Sequence, residues 1–572
     1  GLCLRAWKDI CNSKQEGGLG IRNLQAVNEG LILAAAWRLA KDPSSHLHLV
    51  LKSKYFYVTS IWLASSSNPK SAFWSAILKM LPKLKAHSFY QLTQGNVSIW
   101  STPWCSLWTT VYDHLIVQPS GYVYPSLVKD LWVPGTKIWD NNLISSLFRQ
   151  PLATAIIQTD IIQENCPDIL CWDLTPNGNC TSKSTYKLCL QDIHANPRSA
   201  PSQVPLQIKN LLKLIWKQKT IIPRVKTFAW RLLREALPTG LRAGRFSLHI
   251  SQFCCICGQQ EDEMHLFFLC DFARAAWFSS PWCIRTDALI QANPTIHSVL
   301  HALINMIHSH ASVPNILNFL WCLWKARNDH LFNRKRALPY QIHIAAKALD
   351  VELNDNMHVS LQNNVVCVVP TVNQLPVQGK TIKSDLLLTG PRVYSDAAFR
   401  CKKIPGLTQG MVATGIGVYL CLPQDPTEIN VQVQASSADT DSPLKAEALA
   451  LLLAAQVANR LNISQPTFLT DCLSLASFAA SSKASDVAIP WAIRKILAEF
   501  FFFSSDLHAQ VFHISREING IAHNMAQQVL RPYLGPDMCY FASAHRNGSC
   551  PVVSLLSNFQ FQGFVIHVVH YY

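Results

Sequence analysis

The sequence predicts a multidomain chain: a helical and irregular N-terminal part carrying a small domain built on cysteine and histidine, then an α/β domain with a mixed five-stranded sheet and flanking helices. Three observations predict it. At 572 residues the chain exceeds the size at which one hydrophobic core keeps growing. A Cys-x-x-Cys pair at Cys254 and Cys257 is followed closely by His265 and Cys270. The last third reads strand, strand, strand, helix, strand, helix, strand, helix.

Composition bounds the class. Hydrophobic residues make up 49% and charged residues 15%, which excludes a disordered chain. The formal net charge is +15, yet residues 391–530 hold 10 Lys and Arg against 11 Asp and Glu, so the surplus lies outside that segment. A basic surface suits a polyanionic partner, although solubility alone accounts for such a surplus equally well. The 19 cysteines form no secreted-type framework, and no signal peptide or membrane-length apolar run is evident. With Gly1 in place of Met, the expectation is part of a longer intracellular protein, nuclear or cytoplasmic, with no membrane partner. The sequence says nothing of oligomeric state.

Residues 1–60 have a helical pattern, with Gly17, Gly18 and Gly20 ahead of the apolar run Leu31–Leu39. Residues 70–190 are rich in Trp and in short turns such as Gly95-Asn96 and Asn177-Gly178, which suggests short strands and hairpins. From Leu211 to Phe246 a helical period returns, with Arg224, Lys226, Arg231, Arg234, Arg242 and Arg245 interleaved with Trp216, Phe228 and Trp230. Basic and aromatic residues together suit phosphate contact and base stacking, while each alone fits the solvated face of an amphipathic helix. A Trp-rich helix is expected over Leu317–Phe332, then a Pro-, Gly- and Gln-containing linker over 354–391.

Zinc needs four soft or borderline ligands that a short loop can converge, and Cys254, Cys257, His265 and Cys270 have that spacing. Four protein ligands leave no open position, so the ion would be structural. The competing reading is four unrelated residues in a cysteine-rich chain.

Among the expected elements of the last third, Asp396 ends a strand, Glu447 lies near the start of a helix opened by Ser442 and Pro443, and Asp471 ends another strand. Clustered carboxylates repel one another unless hard cations neutralise them, which points to Mg²⁺ or Mn²⁺. Two such ions would activate a water and stabilise a leaving oxygen in phosphodiester cleavage. Taken singly, an Asp at a strand end is more often a turn or cap residue.

The segments Tyr394-Ser395-Asp396-Ala397-Ala398, Lys445-Ala446-Glu447-Ala448-Leu449-Ala450, Leu469-Thr470-Asp471-Cys472 and Arg516-Glu517-Ile518-Asn519-Gly520-Ile521-Ala522-His523 resemble the type 1 ribonuclease H domain of plant non-LTR retrotransposons. Upstream, Pro223-Arg224-Val225-Lys226-Thr227-Phe228-Ala229-Trp230-Arg231 with the Cys254–Cys270 cluster is similar to the zinc-binding domain that follows reverse transcriptase in those elements. Gly17-Gly18-Leu19-Gly20-Ile21 and Trp324-Lys325-Ala326-Arg327-Asn328 are also similar to segments found there. The resemblance implies a C-terminal fragment of a retrotransposon polyprotein with these parts: a remnant after the polymerase palm (1–130), the zinc-binding domain (165–280), a helical connector (281–353), the linker (354–391), the ribonuclease H-like domain (392–531) and a tail (532–572). It implies cleavage of the RNA strand of RNA·DNA hybrid by two ions of Mg²⁺ or Mn²⁺, with Asp396, Glu447, Asp471 and His523 as catalytic residues and one structural Zn²⁺. Contact with nucleic acid would fall to Arg224, Lys226, Trp230, Arg231 and Asn519. The alternative is a decayed fragment that binds nucleic acid without cutting it.

Two departures stand out. No Tyr/Phe-x-Asp-Asp motif is present, so DNA synthesis is not expected. The family's fourth acidic position holds His523, and neutral imidazole suits Mg²⁺ poorly, so activity is expected to be low in Mg²⁺ and relatively better in Mn²⁺.

Overall fold

The structure, a computed structural model, describes residues 4–57, 59–65, 71–196, 202–247, 249–306, 312–349, 377–384, 388–399, 414–424, 427–437, 440–481, 483–486, 488–531, 535–541 and 550–572. Most of the expected linker falls outside these residues. Contacts divide the chain into two compact units, Gly1–Asn28 with Tyr186–Pro370, and Glu29–Thr185 with Thr371–Tyr572. This departs from borders drawn in chain order, because residues 29–185 fold with the α/β domain. Among the described residues no helix is long and apolar enough to cross a membrane.

In the first unit, helices α1 (Leu206–Lys217), α2 (Pro223–Leu233), α3 (Asp271–Phe278) and α4 (Ser312–Asn333) share one core that includes Phe228, Trp230, Phe267, Trp277 and Phe319. Pro223 occupies the first position of α2, where its missing N–H costs nothing. The indole of Trp230 is buried and donates from Nε1 to the Gly17 carbonyl at 3.0 Å, so the glycine-rich N-terminal turn is tied to α2. The Trp-rich helix is present as α4, and a further helix follows over residues 339–349.

The second unit opens with less regular structure. Instead of hairpins over 70–190, strands β1 (Ser88–Gln91) and β2 (Ile169–Trp172), distant in sequence, pair antiparallel. The Gly95-Asn96 turn is organised from afar: the Asp168 carboxylate accepts the N–H groups of Thr93, Gln94, Gly95 and Asn96.

The remaining strands form one mixed seven-stranded sheet: β3 (Arg392–Phe399), β4 (Thr414–Gln424), β5 (Thr427–Ser437), β6 (Thr467–Thr470), β7 (Gln510–His513), β8 (Met538–Cys539) and β9 (Phe564–Tyr571). Their order is β7-β6-β3-β4-β5-β9-β8. β3, β4 and β5 pair antiparallel, while β6 and β7 join β3 in parallel. The five expected strands are all present. The expected count is corrected to seven because the segment taken as a tail returns to pair β9 with β5 and β8 with β9.

Helices α5 (Pro443–Arg460), α6 (Arg494–Ser504), α7 (Gly520–Val529) and α8 (Pro551–Ser557) flank this sheet. The Ala- and Leu-rich α5 is buried along most of its length, as a helix apolar on several faces must be. Ser442 sits at its N-cap position but makes no side-chain cap bond. Two glycines of β4 fix α7. A Cβ on Gly417 would meet the Ala522 carbonyl at 2.2 Å, and one on Gly415 the Ala526 carbonyl at 2.3 Å. Their absence lets the α7 backbone lie directly on the sheet beside Asp396, whose register partner is Gly417.

Residues 29–185 are held to this domain through α6. Arg494, only 3% exposed, donates to Gln91 Oε1 at 3.1 Å and to the Asn177 carbonyl at 3.3 Å. Trp491 donates its backbone N–H to Pro176 and its indole N–H to Thr175.

Candidate metal centres and nuclease site

Two side-chain groups among the described residues could hold metal, Cys254/Cys257/His265/Cys270 and Asp396/Glu447/Asp471, each with its ligand atoms within 4.8 Å of one another. The sequence singled out the first set by its spacing and the second by the order of Asp396, Glu447 and Asp471 along the chain.

The first is made by a knuckle and a wide helical turn. After Cys257 the chain reverses at Gly258 with φ of +77°, a left-handed conformation that glycine adopts without cost, while Cys254 N–H donates to the Gln259 carbonyl at 2.7 Å. His265–Leu269 form a single π-turn, closed by Cys270 N–H on the His265 carbonyl, which brings His265 and Cys270 to one side. The Cys270 sulfur lies 3.9 Å from both Cys254 and Cys257, and Cys257 Sγ lies 3.1 Å from His265 Nε2. Tetrahedral zinc with Zn–S bonds of about 2.3 Å separates its sulfurs by roughly 3.8 Å, so the donor set fits a closed site. The adjacent Cys270 thiol holds the Cys254 sulfur below its ordinary thiol value, toward the thiolate form that binds metal. Cys255 is half-buried and stands outside the cluster, as the two-residue spacer requires. Nearby, the fully buried Glu261 pairs with Arg327 and accepts the Gly240 N–H at 2.7 Å.

The second group joins three distant segments. Asp396 comes from the middle of β3, Glu447 from the second turn of α5 and Asp471 from the residue after β6. Asp396 is 2% exposed, and Glu447 Oε2 is enclosed without a hydrogen-bond partner. Burial, and then the Asp396 and Asp471 carboxylates, push the Glu447 carboxyl up to about 10. Burial and Asp471 likewise raise Asp396, against the lowering influence of His523. An enclosed, partnerless carboxylate oxygen facing two like charges is what a divalent cation would neutralise, so these residues fit Mg²⁺ or Mn²⁺.

His523, on the first turn and a half of α7, reaches the cluster as a partner of Asp396: its Nδ1 lies 2.6 Å from Asp396 Oδ2. Two residues here were without a role in the sequence. Arg516 places Nη2 3.1 Å from His523 Nε2. His513, at the end of β7, sits with Nε2 3.2 Å from the Asp471 carbonyl and Nδ1 2.7 Å from Thr381 Oγ1. A carbonyl only accepts, so Nε2 donates to Asp471 while Nδ1 accepts from Thr381.

Other expected contacts are corrected. Trp230 is 3% exposed and hydrogen-bonded in the core, so it offers no face to a base. Asn519 is fully buried, and its Nδ2 donates to the Ser395 carbonyl at 3.0 Å, pinning the start of α7 to β3. Lys226 is half-buried, with Nζ 3.5 Å from the Trp216 carbonyl, whereas Arg224 and Arg231 are exposed. Arg224 lines a cleft of about 500 Å³ with Trp321, Lys325, Lys335 and Arg336.

Comparisons agree with this picture. Residues 181–277 match a family described as zinc-binding in reverse transcriptase, and residues 406–529 one described as reverse transcriptase-like. Glu447, Asp471 and His523 lie inside the second match, and Asp396 lies just ahead of it. A protein of Arabidopsis thaliana, provisionally named a ribonuclease H protein, is 26% identical over 285 residues, covering 47% of this chain and 43% of its own length. An uncharacterized mitochondrial protein of the same plant is 29% identical over 101 residues, covering 17% of this chain and 66% of its own length. The chain thus spans less than half of the first relative and just under two thirds of the second. It joins a reverse-transcriptase zinc-binding domain to a reverse-transcriptase-like domain of the ribonuclease H class, the pair on which its resemblance to plant retrotransposon proteins rests.

Proposed function

We propose that the chain is a ribonuclease acting on RNA·DNA hybrid, cutting the RNA strand internally. One observation carries the reading: Asp396, Glu447 and Asp471, from three distant segments, bring carboxylate oxygens within 4.8 Å of one another, with Glu447 Oε2 enclosed and partnerless. Mg²⁺ or Mn²⁺ held there would activate water and stabilise charge on the leaving oxygen. The chain's own residues keep the ligands aimed. His523 donates to Asp396, His513 anchors the Asp471 backbone, and Asn519 ties α7 to the strand that carries Asp396. Hybrid would be chosen by its shape and by the 2′-hydroxyl rather than by base sequence.

Further nucleic-acid contact belongs to the first unit, where Arg224, Lys325, Lys335 and Arg336 line one cleft with Trp321. One Zn²⁺ on Cys254, Cys257, His265 and Cys270 holds that unit's knuckle. The test is cleavage of an end-labelled RNA·DNA hybrid in Mg²⁺ or Mn²⁺. Asp396→Asn and Asp471→Asn are expected to abolish it. Hybrid binding without cleavage would replace this reading with that of a binding protein alone.

A further inference from the structure

Both nitrogens of His523 are committed. Nε2 faces the Arg516 guanidinium at 3.1 Å and the Gln527 side-chain nitrogen at 2.8 Å. A guanidinium only donates, so Nε2 accepts, and the ring proton therefore sits on Nδ1 and is donated to Asp396. Neither nitrogen offers a free lone pair to a cation beside the carboxylates, and the Arg516 guanidinium lies against the ring nitrogen that does not face Asp396.

Charge points the same way. Asp396, Glu447 and Asp471 carry three negative charges when ionised, which one divalent ion and one guanidinium balance. Two divalent ions beside Arg516 would leave an excess of two positive charges, with a neutral imidazole as the one added ligand. Arg516 is exposed in the turn before α7 and opens, with Arg531, onto a pocket of about 470 Å³ lined also by Phe399, His523 and Gln527. Neither arginine has a carboxylate partner among the described residues.

We propose that the carboxylate cluster takes a single divalent ion, and that Arg516, steered by His523, supplies the second positive charge to a phosphate of the nucleic-acid strand seated in the Arg516–Arg531 pocket. This rests on the nuclease reading of the same cluster and replaces the expected second ion. A planar fork of donors suits phosphate oxygens, and one imidazole ring, that of His523, separates its charge from Asp396. In this arrangement His523 is a positioning residue and Arg516 a substrate contact.

The zinc-loaded full chain is titrated with Mn²⁺, and free Mn²⁺ is counted by electron paramagnetic resonance. Asp471→Asn is expected to remove one bound ion, and His523→Asp to add one to the wild-type count. Removal of two ions by Asp471→Asn, or no gain in His523→Asp, overturns the single-ion assignment. Removal of none means that the cluster binds no ion, which sinks the nuclease reading itself. On hybrid, Arg516→Ala is expected to lower kcat by about 100-fold, the scale of losing one fixed charge-stabilising group, with the Mn²⁺ count unchanged. Arg516→Lys should recover part of the rate, since it keeps the charge without the fork. An unchanged kcat in Arg516→Ala overturns the role of Arg516. Arg516 is exposed, so a matching thermal transition confirms that the loss is not one of folding.

Discussion

Glu447→Gln should stabilise the metal-free protein while destroying its activity. Burial and two neighbouring carboxylates raise the folded Glu447 carboxyl from 4.5 to about 10. Below pH 4.5 the group is protonated in both folded and unfolded chains and costs nothing. As pH rises through the window between 4.5 and 10, the unfolded chain releases the proton first, and stability falls by about 1.4 kcal/mol per pH unit. From pH 4.5 to pH 7 the cost thus reaches at most about 3.5 kcal/mol. Glu447 keeps part of its surface in water, and screening brings the working range to about 1–3 kcal/mol. Glutamine keeps the shape and removes the charge. Calorimetry of zinc-loaded chain in buffers free of other divalent ions should show the variant melting above wild type at pH 8, with the difference closing toward pH 4.5. Added Mn²⁺ should stabilise the wild type more than the variant. A difference that does not change with pH, or a variant less stable than wild type at pH 8, would refute the assignment of Glu447 to a repulsive carboxylate cluster.

Three further outcomes are expected. Cys270→Ala should eliminate the single bound zinc in metal analysis, with loss of order in the knuckle, while Cys255→Ala keeps the metal. Arg327→Ala strands the fully buried Glu261 carboxylate and should cost about 3–5 kcal/mol by calorimetry, with little rescue by Lys, which cannot reproduce the two-toothed contact. Lys325→Glu/Lys335→Glu/Arg336→Glu should weaken hybrid binding and flatten its dependence on salt, because fewer counterions are released. Fluorescence anisotropy at two salt concentrations measures it, and an unchanged slope would locate nucleic-acid contact elsewhere.

What was legible in the sequence depended on range. The zinc ligands fall within 17 residues, and local spacing alone singles them out. The three carboxylates are legible through their order along elements with a clear period, although Asp396, expected at the end of a strand, lies inside β3, which runs on to Phe399. Orientation was not legible. Trp230 and Arg231 are neighbours in a basic-aromatic stretch, yet the helical turn sends one into the core and the other into solvent. Long-range pairing was not legible either. Arg494 anchors residues 29–185 across more than 300 positions of sequence, and β9 finds β5 across more than 100. Arg516 and His523 stand in one motif of the sequence, but the contact between their side chains was not legible from it.

The return of β9 to the sheet bears on how this protein is handled. β5 pairs with β4 on one side and with β9 from Val431 to Ser437 on the other. A piece cut at residues 392–531 would leave that second side as a bare row of N–H and C=O groups along a strand in which Val431, Val433 and Ala435 alternate with glutamines, which is a template for strands of other chains. Such a piece is expected to aggregate at concentrations where the full chain stays dispersed. Light scattering on the two would separate a lost edge from a lost fold, and the last 41 residues belong in any version made for assay.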